Sequence, residues 1–152
     1  MTEGKDGRPG PAGTRLLGRL DATQTRAAAA LVAGEYWNAG VPVERLERAM
    51  ARSTVLVGAV DPAGRLVATA RSMSDGTRSA WVGDVCVAAD HRGRGLGRAV
   101  VALLLAHPEV RDADRVRLDT RDAQRLYASF GFVDRATERL PFPSTSMILR
   151  RR

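Results

Sequence analysis

The sequence predicts an α/β or α+β fold in which antiparallel strands come first and a strand, helix, strand unit follows. Apolar stretches at Thr54 to Val60 and Leu66 to Ser72 flank Asp61, Pro62, Ala63 and Gly64, a turn sequence expected between hairpin strands. Further on, a third apolar stretch empties into a loop of glycines and arginines that opens directly into an amphipathic helix. No internal repeat is visible, and the linkers are too short to separate a second domain.

Residues 1–14 include Lys5, Arg8, Pro9, Gly10, Pro11 and Gly13 and lack the apolar stretch of a signal peptide, so they are expected to form a flexible tail ahead of a single domain at 15–150. Thr14 to Leu20 reads as a first strand. Asp21, with Gln24 three residues later, resembles a capping box for a helix reaching about Tyr36. Pro42 in a first turn, followed by Val43, Leu46 and Met50 at helical spacing, predicts a second helix ending near Arg52. After the hairpin, a strand from about Ala80 to Val87 is expected to place Trp81, Val85 and Val87 on one face and Val82, Asp84 and Cys86 on the other.

The glycine loop then leads into a helix whose Leu96, Val100, Leu103 and Leu104 recur at a helical period, ended by His107 and Pro108. Val116 to Asp119 is a further short strand. It precedes a helix with the stripe Ala123, Leu126, Tyr127 and Phe130, terminated by Gly131. Final strands are expected around Phe132 to Arg135 and Ser146 to Leu149.

The 152 residues suit one core, and the longest apolar runs, Ala27 to Ala33 and Ala99 to Ala106, fall well short of the roughly 20 residues that span a bilayer. No membrane partner is expected, and the setting is read as cytoplasmic. Cys86 is the single cysteine, which excludes an intrachain disulfide and a cysteine-based metal site. The net charge of +7 makes an anionic partner reasonable, whether nucleic acid, membrane surface or a phosphorylated cofactor. Only 5% of residues are aromatic, so stacking platforms for single-stranded nucleic acid are thin, and an arginine-rich composition also serves simply to solvate a surface.

Three arginines and three glycines are tied to one motif: Arg92, Gly93, Arg94, Gly95, Leu96, Gly97, Arg98. Amides at a helix start lack partners and carry the positive end of the helix dipole, and glycine keeps side chains out of an anion's way. A dinucleotide fold needs glycine where this chain has Arg98, and a P-loop needs Gly, Lys and Ser or Thr in succession, which do not occur. A bare strand-to-helix turn remains the plain alternative.

The spacing Arg92, Gly95, Gly97 between strand and helix resembles the pyrophosphate loop of the GNAT acetyltransferase superfamily. The likeness extends from Trp81 to Phe132, about a third of the chain, through Ala123, Leu126, Tyr127 and the Gly131, Phe132 ending. One departure is Thr120, where many members carry Asn. The resemblance implies a central mixed, mostly antiparallel sheet of six or seven strands, flanked by about four helices and splayed at an acyl-CoA site.

By the same resemblance, Val85, Cys86 and Val87 bind the pantetheine arm through backbone groups, and amides from Arg92 to Arg98 hold the pyrophosphate of acetyl-CoA. Tyr127 protonates the departing thiolate; the alternative is a Tyr127 that only continues the apolar stripe, with its hydroxyl bonded to backbone. Asp84, an acidic residue within a strand, orients or deprotonates the acceptor amine, or is merely capped or solvent-facing. Tyr36 and Trp37 resemble residues lining the acceptor pocket, with core packing as the other reading. A strand N–H, that of Val85, is expected to stabilise the developing oxyanion.

Cys86 has no predictable base beside it and reads as a small buried hydrophobe rather than an acyl carrier, so direct transfer in a ternary complex is preferred. His91 either touches phosphate or caps the loop, His107 belongs to a helix end, and no metal site is expected. The acceptor is a small-molecule or peptide amine, and relatives commonly pair as homodimers through C-terminal strands. A CoA-binding or regulatory module without turnover, and a basic nucleic-acid-binding protein, are the competing functions; the latter lacks a helix-turn-helix or aromatic platform.

Overall fold

In a computed structural model describing residues 7–151, the chain divides into two compact units, one ending at Asp119 and the other beginning at Thr120. The first is built on a six-stranded sheet in simple sequential order: β1 (Arg8–Pro9), β2 (Arg15–Leu17), β3 (Val55–Val60), β4 (Leu66–Ser74), β5 (Ser79–Val87) and β6 (Arg115–Arg117). Every pairing is antiparallel except β5 with β6, which is parallel and follows the connection through the glycine loop. This is the mixed sheet of an α/β fold.

The ordered sheet starts before residue 15, because Arg8 and Pro9 pair with Leu16 and Arg15. Pro11 then lies near Gly95, with its Cγ 3.7 Å from where a Cβ would stand. The expected tail is thus structured from residue 8, and its first six residues lie outside the described ones. Backbone pairing to β2 and a proline that cannot donate suit an edge strand.

Helix α1 (Ala22–Ala33) opens on the expected capping box: the Gln24 amide donates to Asp21 Oδ1 at 2.8 Å and the Asp21 amide to Gln24 Oε1 at 2.9 Å. It stops at Gly34 rather than near Tyr36, and Tyr36–Asn38 forms a separate 3-10 turn. Helix α2 (Val43–Ala51) follows Pro42 and buries Leu46 and Met50. With α1 and the β2, β3 and β4 residues Leu17, Val60 and Leu66, these form a core on one face of the sheet.

The opposite face is covered by α3 (Leu96–Ala106), whose Leu96, Val100 and Leu104 are buried against Val57, Ala70 and Val82. Full burial of each such side chain stabilises the fold by about 1.5–3 kcal/mol relative to exposure. His107 and Pro108 end α3 as expected but also begin α4 (Pro108–Arg111), where His107 Nδ1 accepts from the Glu109 amide.

Strand β5 departs from simple alternation. Between the pairs Thr69 with Cys86 and Arg71 with Gly83, β5 carries one more residue than β4, and Asp84 there has φ 49°. Aspartate is one of the few side chains tolerated in the left-handed region. The bulge reverses the parity of the strand. Ala80 and Val82 before it, and Val85 and Val87 after it, therefore pack on the α3 side, while Cys86 joins the α1 and α2 core. Trp81 does not share a face with Val85 and Val87, nor Val82 with Asp84 and Cys86, because a uniform period of two cannot run through an inserted residue.

The second unit holds α5 (Gln124–Ala128), with Tyr127 buried. Beyond it, Gly131 adopts φ 94°, the Phe132 amide donates to the Tyr127 carbonyl at 3.2 Å and the Gly131 amide to the Ala128 carbonyl at 3.0 Å. This is a Schellman motif, completed by an edge-on contact between the Tyr127 and Phe132 rings at 5.8 Å. The Gly-Phe ending is thus a helix stop with its accompanying apolar clasp.

Neither expected C-terminal strand is present among the described residues. At Phe132 to Arg135 the Asp134 side chain accepts from the Ala136 amide and draws the chain into a 3-10 turn over Arg135–Thr137. Met147, Ile148 and Leu149 are exposed and unpaired as strand, since β-propensity without a neighbouring strand leaves backbone groups to water.

Candidate active site

The glycine loop is conformationally committed. Gly93 has φ 73° and Gly95, the residue preceding α3, φ 85°, both in the region that side chains disfavour. A Cβ at Gly93 would meet nothing within 4 Å, so glycine there answers to backbone geometry and leaves open space before the loop. The helix ladder begins with the Ala99 amide bonded to the Gly95 carbonyl at 3.1 Å, which leaves the Leu96 and Gly97 amides ahead of it, at the positive end of the dipole. Gly95 supplies no side-chain cap to occupy that position.

Arg92 faces elsewhere. Its Nε donates to the Val87 carbonyl at 3.1 Å and its guanidinium pairs with Glu35 at 2.8 Å, so the side chain ties the loop to the end of α1 and only its backbone is left for an anion. His91 Nδ1 lies 3.0 Å from Asp90 and 3.2 Å from Arg65, in an exposed cluster beside the loop.

The strand feeding the loop has an open edge. Pairing of β5 with β6 covers only Ser79 to Trp81, so from Val82 onward that side of β5 has no β6 partner. Direction follows from alternation: the Ala88 amide donates to the Val67 carbonyl on β4, so Val87 points its backbone groups the other way, as its carbonyl bond to Arg92 shows. Val85 is the next residue on that open edge. Cys86 is not, because its backbone faces β4 opposite Thr69. Its thiol contacts Glu35 at 3.3 Å, and burial together with that carboxylate pushes it up to about 12. Such a thiol is a poor nucleophile.

At the bulge, Asp84 gathers three donors. Arg71 Nε donates to Oδ2 at 2.6 Å, while Trp37 Nε1 and Asn38 Nδ2 donate to Oδ1 at 2.9 and 3.1 Å. The Asp84 and Arg71 side chains are only 9% and 13% exposed, which makes this a largely buried ion pair. Burial works to raise the Asp84 pKa, but the Arg71, Trp37 and Asn38 hydrogen bonds and the Arg71 charge outweigh it, and the carboxyl lies below its ordinary range. Asp84 is therefore neither solvent-facing nor a strong base.

Arg71 stacks over the Trp81 ring, 5.2 Å from its centroid. Trp81 in turn lies flat along its own strand: a Cβ on Gly83 would stand 2.1–2.7 Å from the indole. Trp37 packs edge-on against Tyr36 at 5.0 Å, and both stay partly exposed. The fold thus brings Trp37 and Asp84 together across 47 positions, and Tyr36 flanks them.

Arg71, Asn38, Glu35 and Trp81 join the clusters around Asp84 and Arg92 without having been singled out from the sequence as candidates. Arg71 was open to discovery, since the hairpin register sets it opposite Gly83 beside the acidic residue. Asn38 offers no such signal; its buried amide also donates to the Val32 carbonyl at the end of α1.

In the second unit, Tyr127 is buried on α5, and burial pushes its phenol above the ordinary range. The Thr120 hydroxyl accepts from the Ala123 amide at 3.0 Å, within the turn that precedes α5.

The family described as acetyltransferase (GNAT) domain matches residues 51–134. A crystal structure from Xanthomonas campestris pv. campestris, described as belonging to the GNAT family, is 33% identical, covers 82% of this chain and 87% of its own, and superposes with a TM-score of 0.70. The structure of glucosamine-6-phosphate N-acetyltransferase from Arabidopsis thaliana shares the fold at 19% identity, with 85% of this chain and 97% of that one covered and a TM-score of 0.65. Serotonin N-acetyltransferase 2, chloroplastic, of Oryza sativa subsp. japonica is 47% identical over 66 residues, 41% of this chain; the match spans 33% of that curated relative's length.

Proposed function

The chain belongs to the GNAT acetyltransferase family, and from that premise we propose that it transfers acetyl from acetyl-CoA to the amine of a small-molecule or peptide acceptor by direct attack in a ternary complex. The observation that carries the proposal is the pairing of an open strand edge with a positive-φ glycine loop at the start of α3. Amides of Gly93 to Gly97 suit a pyrophosphate, and the backbone groups of Val85 and Val87 suit the amide-rich pantetheine arm. Acetyl-CoA supplies a thioester carbonyl open to attack by an amine.

The chain's own groups then divide the work. The Val85 N–H on the open edge donates to the carbonyl oxygen as negative charge develops there. Asp84, held as a carboxylate by Arg71, orients the attacking nitrogen, and its lowered basicity leaves the nitrogen's proton to water. As the new C–N bond forms and C–S breaks, the Tyr127 hydroxyl, kept protonated by burial, gives its proton to the sulfur and regains one from water. Trp37 and Tyr36 border the acceptor's approach.

The buried, free Cys86 thiol fits a cytoplasmic setting, and among the described residues no helix is long and apolar enough to cross a membrane. Serotonin, the amine in the rice relative's name, is one acceptor to include in the assay. The test is release of free thiol from acetyl-CoA against a broad amine library, alongside thermal denaturation with acetyl-CoA. Thiol release with an amine is the expected result. A raised melting temperature without release for any amine would overturn transfer and leave a binding module in its place.

A further inference from the structure

A pocket of about 380 Å³ opens beside the bulge, lined by Ala49 and Arg52 from the end of α2, Arg71 and Met73 from β4, and Trp81 from β5. Arg71 belongs both to this lining and to the contact with Asp84, so pocket and bulge share a wall. Its surface is mostly apolar, floored by an indole that Gly83 allows to lie flat. Arg52 and Arg71 contribute to that lining chiefly through apolar atoms, and no carboxylate lines it. Asp84 neutralises Arg71 from behind, whereas Arg52 is exposed and has no ion-pair partner among the described residues. A residue of the pocket wall, Arg52, therefore brings a positive charge that no ion pair among the described residues compensates.

Building on the acetyl-transfer reading above, we infer that this pocket receives the acceptor, and that the acceptor is an anionic amine: an amine that also bears a carboxylate or phosphate, attached to an apolar body. The anionic group pairs with Arg52, since Arg71 is already engaged by Asp84 and, through Nη1, by Ser53 Oγ; the apolar body lies against Trp81 and Met73. Guanidinium is suited to both oxyanions because its planar fork matches either. A purely cationic amine would meet Arg52 with like charge and no compensation.

Matched acceptor pairs test this with the full chain and acetyl-CoA. Phenylalanine is set against 2-phenylethylamine, and O-phosphoethanolamine against ethanolamine, so that one arm reads carboxylate and the other phosphate. At least one anionic member should be preferred in kcat/KM. Arg52→Ala should lower that preference by up to about fivefold, the value of one solvent-exposed ion contact, and Arg52→Glu should lower it further. Preference for the members that lack the anionic group, or a preference indifferent to Arg52, overturns the inference while acetyl transfer stands. If no amine is acetylated, transfer itself has failed, and calorimetric titration of the same pairs decides the pocket: tighter binding of an anionic member that weakens in Arg52→Ala supports it, and equal binding overturns it.

Discussion

Asp84 combines a buried charge with a left-handed backbone, and substitution separates the two. Asp84→Asn keeps the side chain's shape and the residue type's tolerance of φ 49° but removes the negative charge bonded to Arg71 at 2.6 Å. Both partners are nearly enclosed, so the lost pairing leaves an unneutralised guanidinium at a cost of about 3 kcal/mol. In a chain of this length that lowers Tm by about 10 °C. Asp84→Ala should cost about 1 kcal/mol more, because alanine pays for the left-handed conformation, and it also strands the Trp37 and Asn38 donors.

The pH dependence has a definite sign. The folded-state pKa of Asp84 is depressed, so its stabilisation is fully present above the unfolded carboxylate pKa of about 4 and is lost as pH falls through the lower folded value. The gap between wild type and Asp84→Asn, measured by urea denaturation, should therefore be constant at neutral pH and close in acid. An Asn variant within about 1 kcal/mol of wild type at pH 7, the range of exposed pairs, would refute the buried-pair argument, as would a gap that widens in acid.

Other perturbations address the remaining proposed residues one by one. Tyr127→Phe should reduce turnover by about a hundredfold with acetyl-CoA affinity little changed, and steady-state kinetics showing unchanged turnover would remove Tyr127 from the chemistry. Gly95→Ala meets no clash, only ordinary contact with Pro11 at 3.7 Å, so its cost of about 1 kcal/mol comes from φ alone; it should weaken the thermal protection by acetyl-CoA, and intact protection would count against the loop as the phosphate cradle. Gly83→Ala must lift the Trp81 ring off the strand and away from Arg71. In a Trp37→Phe background the remaining indole reports this directly, and an unshifted emission spectrum would contradict the packing.

Local chemistry made much of this protein legible from its sequence. The capping box at Asp21 and Gln24, the hairpin around Asp61 to Gly64 and the strand, glycine loop and helix at Val85 to Ala106 each depend on residues close together in the chain, and each formed within a few residues of expectation. The Tyr127, Gly131, Phe132 spacing is equally local, since a Schellman stop needs only its own helix turn.

What the tertiary structure decided lies where distant segments meet. The bulge at Asp84 depends on β4 being one residue short opposite β5, so alternation read along β5 alone assigns its faces wrongly. Asp84 could be singled out as an anomalous carboxylate, but its meaning came from Arg71 across the hairpin and from Trp37 and Asn38 after α1. Arg92 belongs to the glycine-loop motif, yet its side chain answers to Glu35, 57 positions away. The apolar stretch at Ser146 to Leu149 had strand-forming residues and no strand to pair with. Short-range hydrogen bonding and steric preference are written in consecutive residues, whereas burial, charge pairing and strand register belong to pairs that only folding brings together.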